Sequence, residues 1–185
     1  MKICIINFSG RVVGNCKSIA DFICEKYKGE DVKRFDFNRI NLTPCDKCNA
    51  ECFQKRESCP YFAEGAYKIY DSITNADLTY FILPNYCDYP CANYFIFNER
   101  SQCYFQGRED LLVQYLSANK KFIVISNTNR TNFTKAFEYQ INEGEKPDVL
   151  FLSPKHYGKR SIDGNIADSL SALKDIENFI KNKPA

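Results

Sequence analysis

Neither sign of charge dominates this sequence: 25 basic and 23 acidic side chains leave a formal net charge of +2. That balance gives no electrostatic case for nucleic acid or a membrane surface as a partner. Long apolar runs are missing as well, whereas a membrane-crossing helix needs about 20 such residues. The apolar start Ile3-Cys4-Ile5-Ile6 is too short for a signal-peptide core and has no small-residue cleavage site after it, so a cytoplasmic protein is expected. There is no internal repeat, low-complexity tract or linker, and 185 residues suit one domain spanning 1–185.

Several phosphate-handling motifs are also absent. A dinucleotide fingerprint would need glycines closer together than Gly10 and Gly14. A Walker A loop needs Gly directly before Lys-Ser/Thr, but Asn15 and Cys16 separate Gly14 from Lys17-Ser18. No strand ends in an Asp placed to hold magnesium, which argues against nucleotide hydrolysis.

What is present is a regular alternation. Apolar runs at Lys2 to Phe8, Val32 to Phe37, Leu78 to Leu83, Phe122 to Ile125 and Val149 to Leu152 read as five strands, the third stopped by Pro84. Between them lie helical patterns: Ile19, Phe22, Ile23 and Tyr27; Ala66 to Thr74; Glu109 to Leu116. A last helix is expected to bury Ile166, Leu170, Leu173, Ile176 and Ile180. Near-continuous apolar strands are those of a parallel sheet covered on both faces, so a doubly wound α/β domain is expected. Such sheets bind ligands beyond the carboxyl ends of their strands. The loops to inspect therefore follow Phe8, Leu83 and Ile125.

The first of these, Ser9-Gly10-Arg11-Val12-Val13-Gly14-Asn15-Cys16-Lys17-Ser18, suits an anion. It offers glycines for close backbone approach, polar donors, two cations and a helix N-terminus. It also reads as an ordinary β–α turn with Asn15 as the helix cap and solvated cations. The third loop, Ser126-Asn127-Thr128-Asn129, is polar. Ten cysteines in a reducing compartment are more often ligands, redox groups or core residues than disulfides. Cys45, Cys48, Cys52 and Cys59 are close enough within the loop 41–60 to wrap one zinc or one [4Fe–4S] cluster, or to remain thiols or form a disulfide. Cys4 and Cys24 read as core, and Cys87, Cys91 and Cys103 as candidates to line a cofactor.

The first loop resembles that of flavodoxin-like NAD(P)H-dependent FMN reductases, Gly-Ser-x-Arg-x-x-Gly-Asn-Thr. Ser9, Arg11, Gly14 and Asn15 match in register, Phe8 stands for the first Gly and Cys16 for Thr. Pro84-Asn85-Tyr86 and the later Glu99-Arg100 are similar to the family's Pro-Val-Tyr and Asp-Arg. The four-cysteine spacing resembles that of the iron–sulfur flavoproteins in the same family, with one extra residue before Cys52. The resemblance implies a five-stranded parallel sheet of order 2-1-3-4-5 with helices on both faces. It implies FMN held by Ser9, Arg11, Gly14, Asn15, Cys16 and Lys17, along the flavin ring by Pro84, Asn85, Tyr86, Cys87 and Asp88, and in the third loop by Ser126, Asn127 and Thr128. It further implies a possible [4Fe–4S] cluster on Cys45, Cys48, Cys52 and Cys59.

On this reading the chain is an FMN-dependent oxidoreductase, passing electrons from NAD(P)H or a reduced ferredoxin to an unidentified acceptor. The donor and acceptor are small molecules or small redox proteins, and a homodimer or homotetramer is expected. The chemistry is flavin-centred, with no catalytic side chain, and the lone histidine, His156, is given no role as a base. Two rivals stay open: a non-enzymatic, flavodoxin-like electron carrier and a flavin-free zinc-binding interaction module.

Overall fold

The computed structural model describes residues 1–46, 48–62, 64–128 and 131–182, with the backbone alone at Thr131. In chain order the elements are β1 (Lys2–Asn7), α1 (Asn15–Lys26), β2 (Asp31–Asp36), α2 (Ala66–Thr74), β3 (Leu78–Tyr86), β4 (Tyr89–Pro90), α3 (Ala92–Phe105), α4 (Glu109–Ser117), β5 (Lys120–Ile125), α5 (Thr131–Glu138), β6 (Asp148–Leu152) and α6 (Leu170–Lys181). Five strands run parallel in the order β2-β1-β3-β5-β6, and the two-residue β4 pairs antiparallel with the end of β3. Counting parallel strands alone, this is the flavodoxin-like order 2-1-3-4-5. Of the strands the sequence reading missed only the short hairpin strand, but it also gave no helix for α3 or α5. No helix of the described residues is long and apolar enough to cross a membrane.

Alternation along each strand sends side chains to two separate cores. Ile3, Ile5, Tyr80, Ile82, Ile123 and Ile125 face α1 and α6. Cys4, Ile6, Phe81, Leu83, Phe122 and Val124 face the other way, against aromatic residues of α2, α3, α4 and α5. That second core is built on ring contacts, with Phe122 stacked on Phe137 at 4.2 Å and Tyr70 on Phe97 at 4.4 Å. Phe8 is fully buried in it, between Phe37 and Phe81, so its side chain leaves the loop it begins.

Two expectations change. The last helix begins at Leu170 because the Ser169 hydroxyl accepts the Ala172 N–H at 3.4 Å. That cap leaves Ile166 in a preceding 3-10 turn and Leu170 at the surface, and it buries Ala172, Ile176 and Phe179. Pro84, moreover, does not stop β3, which continues to Tyr86. The Phe8 N–H donates to the Ile82 carbonyl, so the next donor on that side of β3 would be residue 84. Proline has none, and the Phe8 carbonyl instead accepts from Asn93 Nδ2 at 2.9 Å and Cys91 Sγ at 3.4 Å. The ladder ends there, and the start of α3 is tied to the loop after β1.

Candidate functional site

A cavity of about 410 Å³ lies at the carboxyl ends of β1, β3 and β5, within the 300–1,000 Å³ typical of small-molecule sites. Its floor is the turn from β1 into α1. Buried Asn7 shapes this turn: its Oδ1 accepts the Ser9 N–H at 3.0 Å, while its Nδ2 donates to Asp36 at 2.9 Å. Ser9 Oγ accepts the Arg11 N–H at 3.2 Å, which leaves its own O–H to donate.

Gly14 precedes α1, and no side chain caps the helix. The N–H groups of its first turn are therefore left at a wall formed by Gly14, Asn15 and Cys16. Asn15 lies inside the helix rather than at its cap. Burial, with Cys91 adjacent, pushes the Cys16 thiol well above the usual cysteine range, so it meets a ligand uncharged. Lys17 does not line the cavity. Its ammonium pairs with Asp21 one turn on, at 2.7 Å and exposed, because its helix position points outward.

The second wall is the β3–β4 hairpin. Asn85 faces Pro90 and Tyr86 faces Tyr89, so Cys87 and Asp88 are the two central turn residues. Both have positive φ, 53° and 65°, the conformation a two-residue type I′ hairpin requires. Asn85 organises the turn: its Oδ1 accepts the Asp88 N–H at 2.8 Å, and its Nδ2 donates to Ser126 Oγ at 2.6 Å and Thr128 Oγ1 at 2.8 Å. Thr128 Oγ1 in turn donates to Asp88. Pro84 to Asp88 and Ser126 to Thr128 thus form one polar unit along the cavity.

A third wall has no counterpart in the sequence reading. The loop after β6 folds back across α1 and brings Ser161 and Ile162 into the lining. Arg11 Nη2 donates to the Ile162 carbonyl at 2.8 Å, and Asn15 Nδ2 to the Ser161 carbonyl at 3.1 Å. Asn15 Oδ1 accepts the Ile166 N–H at 3.0 Å, and Asn127 reaches the Ser161 hydroxyl.

The cysteine-rich loop does not form the expected four-sulfur shell. Cys45 Sγ accepts from Arg100 Nη1 at 3.0 Å, and its N–H donates to Glu99 at 3.0 Å. Arg100, fully buried in α3, also pairs with Glu64 at 3.0 Å and lies over the Tyr61 ring at 4.0 Å. Glu99-Arg100 thus clamps this loop. Cys52 and Cys59 meet Cys103 of α3, which does not line the cavity; Cys45 packs against that group, and Cys48 is not part of it. Among the described residues, no set of three or more His, Cys, Asp or Glu side chains is arranged to hold a metal ion. A [4Fe–4S] cluster on Cys45, Cys48, Cys52 and Cys59 does not fit this arrangement.

No protein-family model matches the chain, and no curated protein matches it. Solved structures do. The Trp repressor binding protein from Bacillus subtilis superposes with a TM-score of 0.61 at 15% identity, over 99% of this chain and all of that one. A candidate quinone reductase from Klebsiella pneumoniae gives 0.63 at 13%, over 99% and 86%. A flavoenzyme NAD(P)H:(acceptor) oxidoreductase from Paracoccus denitrificans gives 0.54 at 10%, over 96% and 94%. At these identities the likeness is one of fold.

Proposed function

We propose that this chain binds FMN and acts as an oxidoreductase, taking electrons from NAD(P)H and passing them to a small-molecule or small-protein acceptor. One observation carries the reading: the uncapped N-terminus of α1, beside the Ser9 hydroxyl and Arg11, stands at the floor of a cavity at the carboxyl ends of the central strands. That is where a doubly wound sheet binds its ligand and where a phosphate finds helix N–H groups and a cation. The residues fit the group. Open N–H donors, Ser9 and Arg11 suit the phosphate, and the uncharged Cys16 thiol adds no repulsion. Asn85, Tyr86 and the Ser126–Thr128 turn give a polar-edged wall for a planar ring. The fold shared with flavin- and quinone-linked reductases points the same way.

Bound FMN supplies the redox chemistry. The chain's own part is to grip the phosphate with Ser9, Arg11 and the α1 N-terminus and to fix the second wall through Asn85. The route from a reduced ferredoxin depended on a cluster for which the cysteines are not arranged, so nicotinamide is the proposed donor. All ten thiols are unpaired, which supports a reducing, cytoplasmic setting. Exposed Val12, Val13 and Ile162 beside the cavity support a homodimer or homotetramer that covers them.

The test is anaerobic mixing of FMN-loaded protein with NADH or NADPH. Bleaching of the flavin band followed by turnover with an artificial acceptor is expected. If both nucleotides leave the flavin oxidised, the electron-carrier reading replaces the enzyme.

A further inference from the structure

Three cysteines from separate segments meet away from the cavity. Cys52 lies in the 3-10 turn Glu51–Phe53, Cys59 follows the turn Arg56–Ser58, and Cys103 is in the last turns of α3. Cys103 Sγ stands 3.5 Å from Cys52 Sγ and 3.7 Å from Cys59 Sγ, across 51 and 44 residues of sequence. All three are buried, and Tyr67 packs against them with a buried hydroxyl that has no hydrogen-bond partner among the described residues. Cys103 touches both of the others, and they are not arranged around a metal ion.

We propose that these thiols form a disulfide-exchange site in which Cys103 bonds to either Cys52 or Cys59. A disulfide needs sulfurs about 2.05 Å apart, so each pair has only about 1.5 Å to close. One sulfur cannot make both bridges, so oxidation consumes one loop cysteine and leaves the other beside the new bond.

The oxidant is a low-molecular-weight disulfide. Cys52 and Cys59 are buried beside exposed neighbours, Phe53, Ser58 and Pro60, so local opening of this loop brings one of their thiolates to the disulfide. It attacks, forming a mixed disulfide and releasing one small thiol. Cys103, as thiolate, then attacks the protein sulfur and releases the second small thiol. Two protein S–H groups become one S–S bond, and the two electrons reduce the external disulfide to two thiols. Burial and the adjacent thiols push the Cys103 thiol well above the usual cysteine range. Exchange proceeds through the thiolate, so closure is slow at neutral pH and speeds up as pH rises. The bridge staples the cysteine-rich loop to α3, whose N-cap Cys91 and first-turn Asn93 hold the Phe8 carbonyl.

The experiment equilibrates the full-length protein without oxygen in graded mixtures of reduced and oxidised glutathione. Acid quenching, alkylation and peptide mass spectrometry follow. One intramolecular bridge joining Cys103 to Cys52 or Cys59 is expected at the oxidising end, and the ten thiols of the reduced chain fall by two. Cys52→Ser should retain the Cys59–Cys103 bridge, and Cys103→Ser should abolish both. The bridged form should melt higher than the reduced form, reversibly with dithiothreitol, because a cross-link over so long a loop restricts the unfolded chain. Ten free thiols at the most oxidising ratio would overturn the proposal. So would glutathione left on a single cysteine without closure, a bridge that omits Cys103, or zinc or iron bound by these sulfurs. None of these readouts depends on flavin.

Discussion

Gly164 rests on Gly14: a β-carbon built on Gly164 would lie 2.8 Å from the Gly14 α-carbon, a distance that real β-carbons do not reach. The loop after β6 sits flush on the entrance to α1 because Gly164 carries no side chain, whereas a β-carbon on Gly14 would meet the Arg11 side chain at 3.6 Å, an ordinary contact. Gly164→Ala should displace this loop and with it Ser161 and Ile162. It also suffers the left-handed backbone penalty at φ 71°, on the order of 1–2 kcal/mol. Gly158→Ala is the control, since its φ of 66° is as demanding while no atom lies within 4 Å of the added carbon. Thermal melts should show both variants destabilised. An FMN titration should show weakening, on the order of tenfold or ~1.4 kcal/mol, for Gly164→Ala alone.

Arg11 does two things in this arrangement. Its Nη2 holds the Ile162 carbonyl at 2.8 Å, and its guanidinium stands beside the proposed phosphate site. Arg11→Ala should weaken riboflavin slightly by loosening the loop, and FMN by a further ~1.5–3 kcal/mol for the charge-assisted bond to phosphate. Paired titrations of both ligands read the difference. Equal losses would restrict Arg11 to a structural role.

Alkali should destabilise the fold through its buried acids. Burial pushes the Cys4 thiol up to about 12 from an ordinary 9.0, and the Tyr104 hydroxyl up to about 12 from 10.0. Both acids ionise more readily in the unfolded chain. The stability they contribute is complete below pH 9 and is lost as pH climbs from about 9 to 12. Lys120 works the other way: burial pushes it down to about 7, so it adds stability as pH rises from about 7 towards 10.5, in the parent and in Cys4→Ala alike. Denaturant midpoints of the two are therefore compared from pH 7 to 11, and the parent should fall more steeply above about pH 9.

The fold was legible because the chemistry of a parallel sheet is written locally. Ile3 to Ile6, Tyr80 to Leu83 and Phe122 to Ile125 are apolar on both faces, and both faces are covered. Much of the cavity was legible for a related reason: its polar residues sit directly after strand ends, from Ser9 to Cys16, Pro84 to Asp88 and Ser126 to Thr128. Other parts depend on contacts the chain makes far from itself. The loop holding Ser161 and Ile162 binds Arg11 and Asn15 through backbone carbonyls, which carry no side-chain signature. Lys17 matched the anion pattern by spacing, yet one helical turn carries it to Asp21. Cys103 was read with the cavity because it follows the β3 hairpin in sequence, but α3 takes it to Cys52 and Cys59 instead. The last helix was displaced by a single cap, Ser169.

The central claim is that the floor between Ser9 and Cys16 binds the phosphate of FMN. Isothermal titration of cofactor-stripped protein with FMN and with riboflavin, together with an absorbance spectrum before stripping, tests it most directly. The account predicts yellow protein whose released cofactor is FMN, and a stripped form that takes up one FMN per chain at least tenfold more tightly than riboflavin. Colourless protein that takes up neither ligand would contradict it.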